Sequence, residues 1–163
     1  MTKRHAVSER VMFDEKTTSE LVAMLNQSLA DSLDLAYQTK QAHWNVKGYN
    51  FYGLHLLFDD LYGQLAAHVD DFAERAVSIG GLALGTVRVA SSTSRLDEYP
   101  LDALESRVHV DALVDRYGDY TSRVRHAIKK AEKLGDQDTA DLYTSVSRAM
   151  DKALWMLTAH QEA

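Results

Sequence analysis

Hydrophobic residues recur at spacings of three and four along four long stretches of the chain, which is the pattern of amphipathic helices. The first stretch begins at Thr17, where a capping box with Glu20 predicts the helix start, and runs to about Val46. The second begins at Phe51 and runs to about Ser78, where two glycines follow. Because only four residues separate the two stretches, we expect antiparallel neighbours in a bundle.

A long connection with weak periodicity follows the second helix, and it contains the only proline, Pro100. Within it, residues 101–107 (LDALESR) predict a short extra helix with Asp97 or Asp102 as the N-cap. A connection of this length suits a crossover between helices rather than a tight turn.

The third and fourth long helices complete the bundle. The third runs from about Asp111 to Leu134, and Gly135 ends it. The fourth takes Asp138 as its N-cap and carries hydrophobic residues at helical spacing as far as Leu157. Four long helices, with one long crossover between the second and the third, predict an all-α, ferritin-like four-helix bundle.

Composition limits the class of protein. With 163 residues, 45% hydrophobic and 26% charged, and with no apolar run of membrane length, we expect no membrane association. The sequence predicts one bundle domain, residues 17–163, after a flexible N-terminal tail, residues 1–16. The first ten residues are basic but no apolar segment follows them, so we expect no secretory signal and a cytoplasmic location.

The chain has no cysteine, which excludes disulfides, thiolate zinc sites and cysteine catalysis. Any bound metal must therefore be held by histidine and carboxylate, ligands that suit iron, manganese or zinc. The formal net charge of −6 disfavours nucleic-acid binding through the folded surface, because phosphate contacts need a basic patch. The same charge suits a protein that gathers cations.

The second helix carries two pairs of candidate metal ligands. His55 and Asp59 are four residues apart, as are Asp70 and Glu74, and all four share one stripe of a continuous helix. The two pairs lie about 16 Å apart along the helix, so one metal cannot reach both. A second copy, antiparallel across a two-fold axis, would bring them together in two equivalent shared sites. His43, at the end of the first helix, lies near His55 and joins the site.

Less specific interpretations of this stripe remain open. The charged pairs could be solvated ion pairs, or the stripe could serve only for dimerisation, with Gly63, Ala66 and Ala67 at its midpoint allowing close approach. Glu-x-x-His, by which di-iron bundles bind both metals inside one subunit, is absent from the chain, which disfavours an intrachain di-iron enzyme.

The other histidines have weaker claims to function. His68 could be an outer or transient ligand, although a partly exposed structural histidine is the favoured interpretation. Four histidines without partners at metal spacing are expected on the surface: His5, His109, His126 and His160. Trp44, next to His43, is either a packing residue or a redox-active aromatic near the site.

Several motifs together resemble the Dps family, the mini-ferritins named for DNA protection in starved cells. They are KQAHWNVKGYNFYGLH, then DD, then DDFAERAVSIGGLALGT, followed by YPLD in the crossover and DTADLYTSVSRAMDKALWML in the last helix. The likeness covers nearly the whole chain from about residue 17. The resemblance implies a ferroxidase centre at a dimer interface, with His43, His55 and Asp59 of one chain and Asp70 and Glu74 of the other as its ligands.

The resemblance also implies a hollow shell of twelve subunits, built from two-fold dimers. Such a shell oxidises Fe(II), preferentially with hydrogen peroxide, stores ferric mineral and protects the cell from oxidative damage. Its implied cargo is iron, up to two ions at each intersubunit site, with zinc or another divalent metal as an alternative occupant after purification. A short extra helix in the crossover is implied as well, and Trp44 would catch stray oxidising equivalents.

Two further family properties bear on this chain. Iron entry pores lined by acids at the start of the last helix would here involve Asp136, Asp138 or Asp141, with Asp141 as first choice and helix capping as the alternative role. DNA binding is the alternative function. We do not expect it, because the first ten residues have only three basic residues, Lys3, Arg4 and Arg10, and the chain ends HQEA.

Overall fold

The computed structural model describes residues 13–161, and over this range the chain forms five α-helices and no strand. The helices are α1 (Glu15–Asn45), α2 (Phe51–Ser78), α3 (Val87–Thr93), α4 (Ser106–Lys133) and α5 (Gln137–Ala159). Four long helices and one short helix in the crossover confirm the predicted all-α, ferritin-like bundle. Most of the predicted tail, residues 1–12, lies outside the described residues. None of the described helices is long and apolar enough to cross a membrane.

Aspartates cap two helices at positions other than the predicted ones. Asp14, not Thr17, is the N-cap of α1, and its carboxylate accepts a hydrogen bond from the Thr17 amide at 2.8 Å. Asp136, not Asp138, is the N-cap of α5, and it accepts from the amide of Thr139 at 3.0 Å. In both cases the aspartate three residues before a threonine reaches the free first-turn amide, so the helix begins earlier than predicted.

The short crossover helix is not where the sequence predicted it. It spans Val87–Thr93, with Thr86 as its N-cap, whereas residues 101–105 form a turn and an extended stretch that lead into α4. That segment cannot be helical because Leu104 and Glu105 pair with the extended Lys47: the Lys47 amide donates to the Leu104 carbonyl at 3.1 Å. As a result α4 begins at Ser106, five residues before the predicted start.

Polar side chains of α1 hold the crossover against the bundle. Asn26 donates to the Leu82 carbonyl at 2.8 Å and accepts from the Leu84 amide at 2.8 Å. Asp31, only 1% exposed, accepts from the backbone and the guanidinium of Arg95, the latter at 2.5 Å. These contacts fix the path of a segment that contributes few side chains to the buried core.

Three buried tyrosines connect α4 and α5 to α1 inside the otherwise apolar core. Their hydroxyls each meet a hydroxyl of α1: Tyr143 with Ser28 at 2.8 Å, Tyr120 with Ser32 at 2.7 Å and Tyr117 with Thr39 at 3.0 Å. Ser32 itself donates to the Ser28 carbonyl at 2.7 Å, so the Tyr120 hydroxyl is the donor in its pair. Burying these groups is tolerable because each has a partner.

The pairing of Tyr120 with Ser32 can be tested by a double-mutant cycle in urea denaturation. Ser32→Ala leaves the buried Tyr120 hydroxyl without its hydrogen-bond acceptor and should cost about 1–3 kcal/mol of unfolding free energy. Tyr120→Phe should cost about 1 kcal/mol. The double variant should be less destabilised than the two single effects together. Ser122→Ala, at an exposed position of α4, serves as the neutral control. Additive effects would contradict the pairing.

Candidate metal centre

Each of the two histidines nearest the α1–α2 turn forms a hydrogen bond with the backbone carbonyl of the other. His43 Nδ1 lies 2.8 Å from the His55 carbonyl oxygen, and His55 Nδ1 lies 2.9 Å from the His43 carbonyl oxygen. The rings stack with centroids 3.8 Å apart and planes 21° apart. His43 is in the last turn of α1, where carbonyls lack intrahelical partners, so His55 supplies a donor that the helix end needs.

This exchange determines which ring nitrogen can bind a metal. A carbonyl oxygen only accepts hydrogen bonds, so each Nδ1 must carry a proton. In the neutral rings Nε2 therefore has a free lone pair, and a backbone acceptor on the other nitrogen is the usual arrangement of a metal-binding histidine. Phe51 covers His55 with its ring centroid 5.2 Å away. Both Nε2 atoms are thus left free of the backbone hydrogen bonds that occupy Nδ1.

Asp59 lies one turn beyond His55 and forms a salt bridge with Lys40. The Lys40 ammonium donates to Asp59 Oδ1 and sits 4.9 Å from the centre of the Tyr62 ring. This hydrogen bond is the main reason that the pKa of Asp59 lies below its ordinary value. The Asp59 side chain is 54% exposed while that of Lys40 is only 18% exposed. A cation arriving from outside therefore meets the carboxylate first and must displace the ammonium from it.

Asp70 and Glu74 are exposed on the same helix, about three turns beyond Asp59. Within residues 13–161 no three histidine or acidic side chains come together in a geometry that could hold a metal. His43 stacks on His55 and Asp59 follows one turn later, so these residues lie toward one end of α2, whereas Asp70 and Glu74 lie toward the other end. Beside Asp59, a shallow groove of about 550 Å³ runs past the exposed Gly63.

The remaining candidate residues differ in their exposure and in the contacts of their side chains. Trp44 is 62% exposed beside His43. Asp138 and Asp141 are exposed at the start of α5. Asp136 is 2% exposed, and its carboxylate accepts from Arg75 at 2.7 Å as well as capping the helix. These bonds to Thr139 and Arg75 outweigh burial and lower the pKa of Asp136, so its charge is already balanced inside the protein.

Sequence reasoning missed Lys40, although the residue lies one turn before His43 on α1. Its link to Asp59 becomes visible only when α1 and α2 pack together. The side chain of His68 is 13% exposed, and neither ring nitrogen has a hydrogen-bond partner among the described residues. The nearest acid is Asp71, whose carboxylate lies 3.6 Å from His68 Nδ1.

The expectation that His109 lies on the surface is wrong. His109 is fully buried in the first turn of α4, and its Nδ1 lies 2.6 Å from the hydroxyl of Tyr99. The sequence showed no partner for His109 because Tyr99 lies ten residues away in the irregular crossover, where helical spacing does not identify contacts. Burial lowers the pKa of His109, and the backbone carbonyl of Asn45 partly opposes that shift.

Comparison with known proteins places the bundle in a class. A sequence model described as a ferritin-like domain matches residues 22–163. A protein of Agrobacterium fabrum (strain C58), named DNA protection during starvation protein, is 44% identical over 158 residues, which cover 97% of this chain and 96% of the relative. The chain is therefore a ferritin-like protein.

Solved structures narrow the class to a family. A Mycobacterium smegmatis Dps structure has a TM-score of 0.88 at 28% identity and covers 91% of this chain and 90% of that chain. A Dps protein of Vibrio cholerae O1, described as a member of a broad superfamily of ferritin-like diiron-carboxylate proteins, has a TM-score of 0.86 at 26% identity over 91% of this chain and 93% of that chain. The chain belongs to the Dps family, and this membership supports iron storage as its general role.

Buried His109 should give the free energy of unfolding a pH dependence. Its pKa in the folded chain is lower than the ordinary value of 6.5, so below about pH 6.5 the unfolded chain binds a proton that the folded chain does not. Stability from this group is therefore complete at higher pH and falls as pH decreases through the histidine range. His109→Gln should reduce that loss in urea denaturation at about pH 7.5 and about pH 5.5. The exposed His126→Gln is the control, and equal slopes for all three proteins would contradict the assignment.

Proposed function

We propose that the protein oxidises Fe(II), preferentially with hydrogen peroxide, at centres shared between two subunits and stores the ferric product inside a dodecameric shell. The observation that carries this proposal is the mutual hydrogen bonding of His43 and His55. It leaves two Nε2 atoms free beside the exposed carboxylate of Asp59. Three candidate ligands lie toward one end of α2, and two carboxylates lie toward the other end. This arrangement suits a centre that a second copy of the chain completes.

An antiparallel second copy of α2 would supply the missing ligands. If the partner subunit's Glu74 approaches His55, the same register brings the partner subunit's Asp70 to Asp59, because both pairs have the same spacing. That register also sets Gly63 against the partner's Ala66, both exposed in the single chain. Small side chains at the midpoint allow the helix axes to approach closely, which supports two equivalent centres about a two-fold axis.

The ligands favour oxidation for an electrostatic reason. Carboxylates and imidazoles stabilise Fe(III) over Fe(II), because the carboxylates add negative charge that compensates the higher oxidation state. Lys40 balances Asp59 in the absence of iron, and iron binding would replace the ammonium by a metal cation at that carboxylate. Iron is the substrate of this centre and becomes the stored cargo.

The electron balance favours two iron ions for each peroxide. Hydrogen peroxide accepts two electrons as its oxygen–oxygen bond breaks, and each Fe(II) gives one. Two Fe(II), one peroxide and two waters yield two ferric oxyhydroxide units and release four protons. Pairing the irons at or near one centre avoids one-electron reduction of peroxide, which would release hydroxyl radical. Trp44, which is exposed next to His43, would give an electron where that pairing fails.

Acidic residues at the start of α5 are proposed to admit iron to the shell. Asp141 stays the first choice because it is exposed. Asp138 is also exposed, but its carboxylate lies 4.0 Å from Arg75, which reduces its attraction for a cation. Asp136 is buried and already paired, so capping accounts for it.

A subunit-mixing experiment tests whether the centre is shared. Asp59→Asn and Glu74→Gln should each lower peroxide-dependent Fe(II) oxidation at least about tenfold, with non-additive effects in the double variant. When the two single variants are unfolded together and reassembled, about half of the dimers are mixed and each mixed dimer holds one intact centre, so about a quarter of the activity should return. Stopped-flow absorbance of the ferric product measures the rate.

The control for that experiment is Asp115→Asn, an exposed carboxylate of α4 far from the stripe, which should oxidise iron normally. A mixture that stays inactive although both variants assemble would show that each centre lies within one chain. Full activity in all the variants would leave α2 with a role in dimerisation alone.

DNA binding is the second candidate function, and one surface favours it. Lys129, Lys130 and Lys133 are exposed on the last turns of α4, and the A. fabrum relative carries DNA protection in its name. Overall charge opposes it, because twelve chains of −6 carry a formal −72 and repel phosphate.

Electrophoresis with plasmid DNA separates these two effects. We expect no retardation of the plasmid by the purified shell at neutral pH and moderate salt, since net repulsion should outweigh three lysines. Retardation that declines steeply with salt, and that disappears when Lys129, Lys130 and Lys133 are all changed to glutamine, would establish DNA binding and contradict this expectation. Wild-type iron oxidation by the triple variant would confirm that its shell is intact.

A further inference from the structure

Arg75 follows the candidate ligand Glu74 directly in α2, but the two side chains lie on different faces of the helix. Successive helical residues point about 100° apart around the axis. Glu74 is exposed, whereas the side chain of Arg75 is only 18% exposed. The last turns of α2 thus present a carboxylate to solvent on one face and an arginine to the rest of the bundle on another.

The guanidinium of Arg75 bonds to the start of α5 through two of its nitrogens. Nη2 donates to Asp136 Oδ1 at 2.7 Å, and Nε donates to the Thr139 hydroxyl at 2.9 Å. Both acceptors are buried, since Asp136 is 2% exposed and Thr139 is 0% exposed. Because the guanidinium is planar and rigid, two bonds from it fix the direction of the Arg75 side chain, which a single ammonium could not do.

The acceptors of these two bonds are themselves held in place. The Asp136 carboxylate is the N-cap of α5 and accepts from both the amide and the hydroxyl of Thr139. The Asp136 amide donates to the Ala131 carbonyl, near the end of α4, at 3.1 Å. Arg75 therefore joins α2 to a turn between α4 and α5 that is fixed by its own hydrogen bonds.

The last turns of α2 depend on such contacts, because the end of a helix has fewer hydrogen bonds than its middle. The helix ends at Ser78, one turn after Glu74, and the carbonyls of its last turn lack intrahelical partners. On the side of α1, Gly81 packs so closely on Val22 that a Cβ at this position would overlap the valine side chain. This packing limits movement of the helix end toward α1, and the bonds of Arg75 limit its rotation.

We infer that Arg75 is a positioning residue for Glu74: its bonds to Asp136 and Thr139 fix the rotation of the last turns of α2, and with it the direction of the Glu74 carboxylate. This inference rests on the proposed function, because Glu74 serves a centre only if two chains share their ligands. Arg75 would act through the helix backbone, without contact with the metal. A metal centre needs its ligands within about 0.5 Å and about 10–20° of the productive geometry, so a small rotation of the helix end reduces affinity.

Binding of Co(II) to the assembled, full-length protein, followed by visible absorption, tests the inference. Arg75→Leu keeps the apolar part of the side chain but removes the guanidinium, and it should weaken Co(II) binding about tenfold. Arg75→Lys keeps the charge but cannot bond to Asp136 and Thr139 at the same time, so it should restore part of the affinity. Unchanged Co(II) binding by Arg75→Leu would overturn the inference.

Mixing of subunits distinguishes a positioning role from a general loss of stability. In a mixed dimer of Arg75→Leu and Asp59→Asn chains, one centre combines the intact Asp59 of the first chain with the Glu74 of the second chain, where Arg75 is present. About half of the dimers are mixed, so about a quarter of the wild-type Co(II) sites should return. In mixed dimers of Arg75→Leu and Glu74→Gln chains, both centres receive an altered Glu74 side, so no wild-type site should return.

Arg95→Leu is the matched control, because it also removes a guanidinium from a buried aspartate. The partner of Arg95 is Asp31, which is 1% exposed and lies on α1 rather than on α2. Arg95→Leu should bind Co(II) as the wild type does, with all variants measured below their unfolding temperatures as determined by circular dichroism. An equal loss of affinity in Arg95→Leu would mean that general stability is responsible, which would overturn the positioning role. If Arg75→Leu fails to assemble, Arg75→Lys takes its place in both mixtures.

A third mixture separates this inference from the proposed function. Chains carrying Asp59→Asn and chains carrying Glu74→Gln should together recover about a quarter of the Co(II) sites. If they do, and Arg75→Leu recovers sites equally with both partners or with neither, the positioning role is wrong and the shared centre stands. If the third mixture recovers no sites, the shared centre is wrong and the positioning role fails with it.

Discussion

The site depends on one constraint, the unsatisfied backbone at the end of a helix. The carbonyl of His43 has no partner within α1, and a buried or half-buried carbonyl without a donor costs free energy. His55 supplies that donor, and His43 returns one to the carbonyl of His55. The bonds that complete the backbone hydrogen bonding therefore also set the tautomer of both rings. The same pair of contacts therefore completes the end of α1 and leaves both Nε2 atoms free.

The surroundings of this pair follow from the same turn. Because α1 and α2 are antiparallel, Lys40 of α1 lies level with Asp59 of α2 and neutralises it. The crossover then has to reach α4, and on its way it pairs with Lys47 in the turn between α1 and α2. The turn between the two candidate histidines is therefore held by a segment that contributes no candidate ligand.

Charge is distributed unevenly over the molecule in a way that suits cation handling. The α2 stripe and the start of α5 are acidic and exposed, whereas the most buried acids, Asp31 and Asp136, are paired with Arg95 and Arg75. Exposed carboxylates can take a cation from solution, and buried ones need an internal partner to be tolerated at all. Asp136 shows why position along the chain alone does not identify a metal ligand.

The sequence by itself determined the four long helices, the limits of α2 and the impossibility of one metal reaching both pairs of ligands, because these follow from the period and rise of a helix. It placed the short helix in the wrong part of the crossover and His109 on the surface. Those errors share a cause, since Lys47 pairing with Glu105 and Tyr99 bonding to His109 join segments that are distant or irregular in the chain. Only the tertiary structure decided the mutual bonding of His43 and His55, the part played by Lys40 and the pairing of Asp136 with Arg75. Such contacts depend on which helix faces pack together, and hydrophobic spacing does not encode which polar groups meet there.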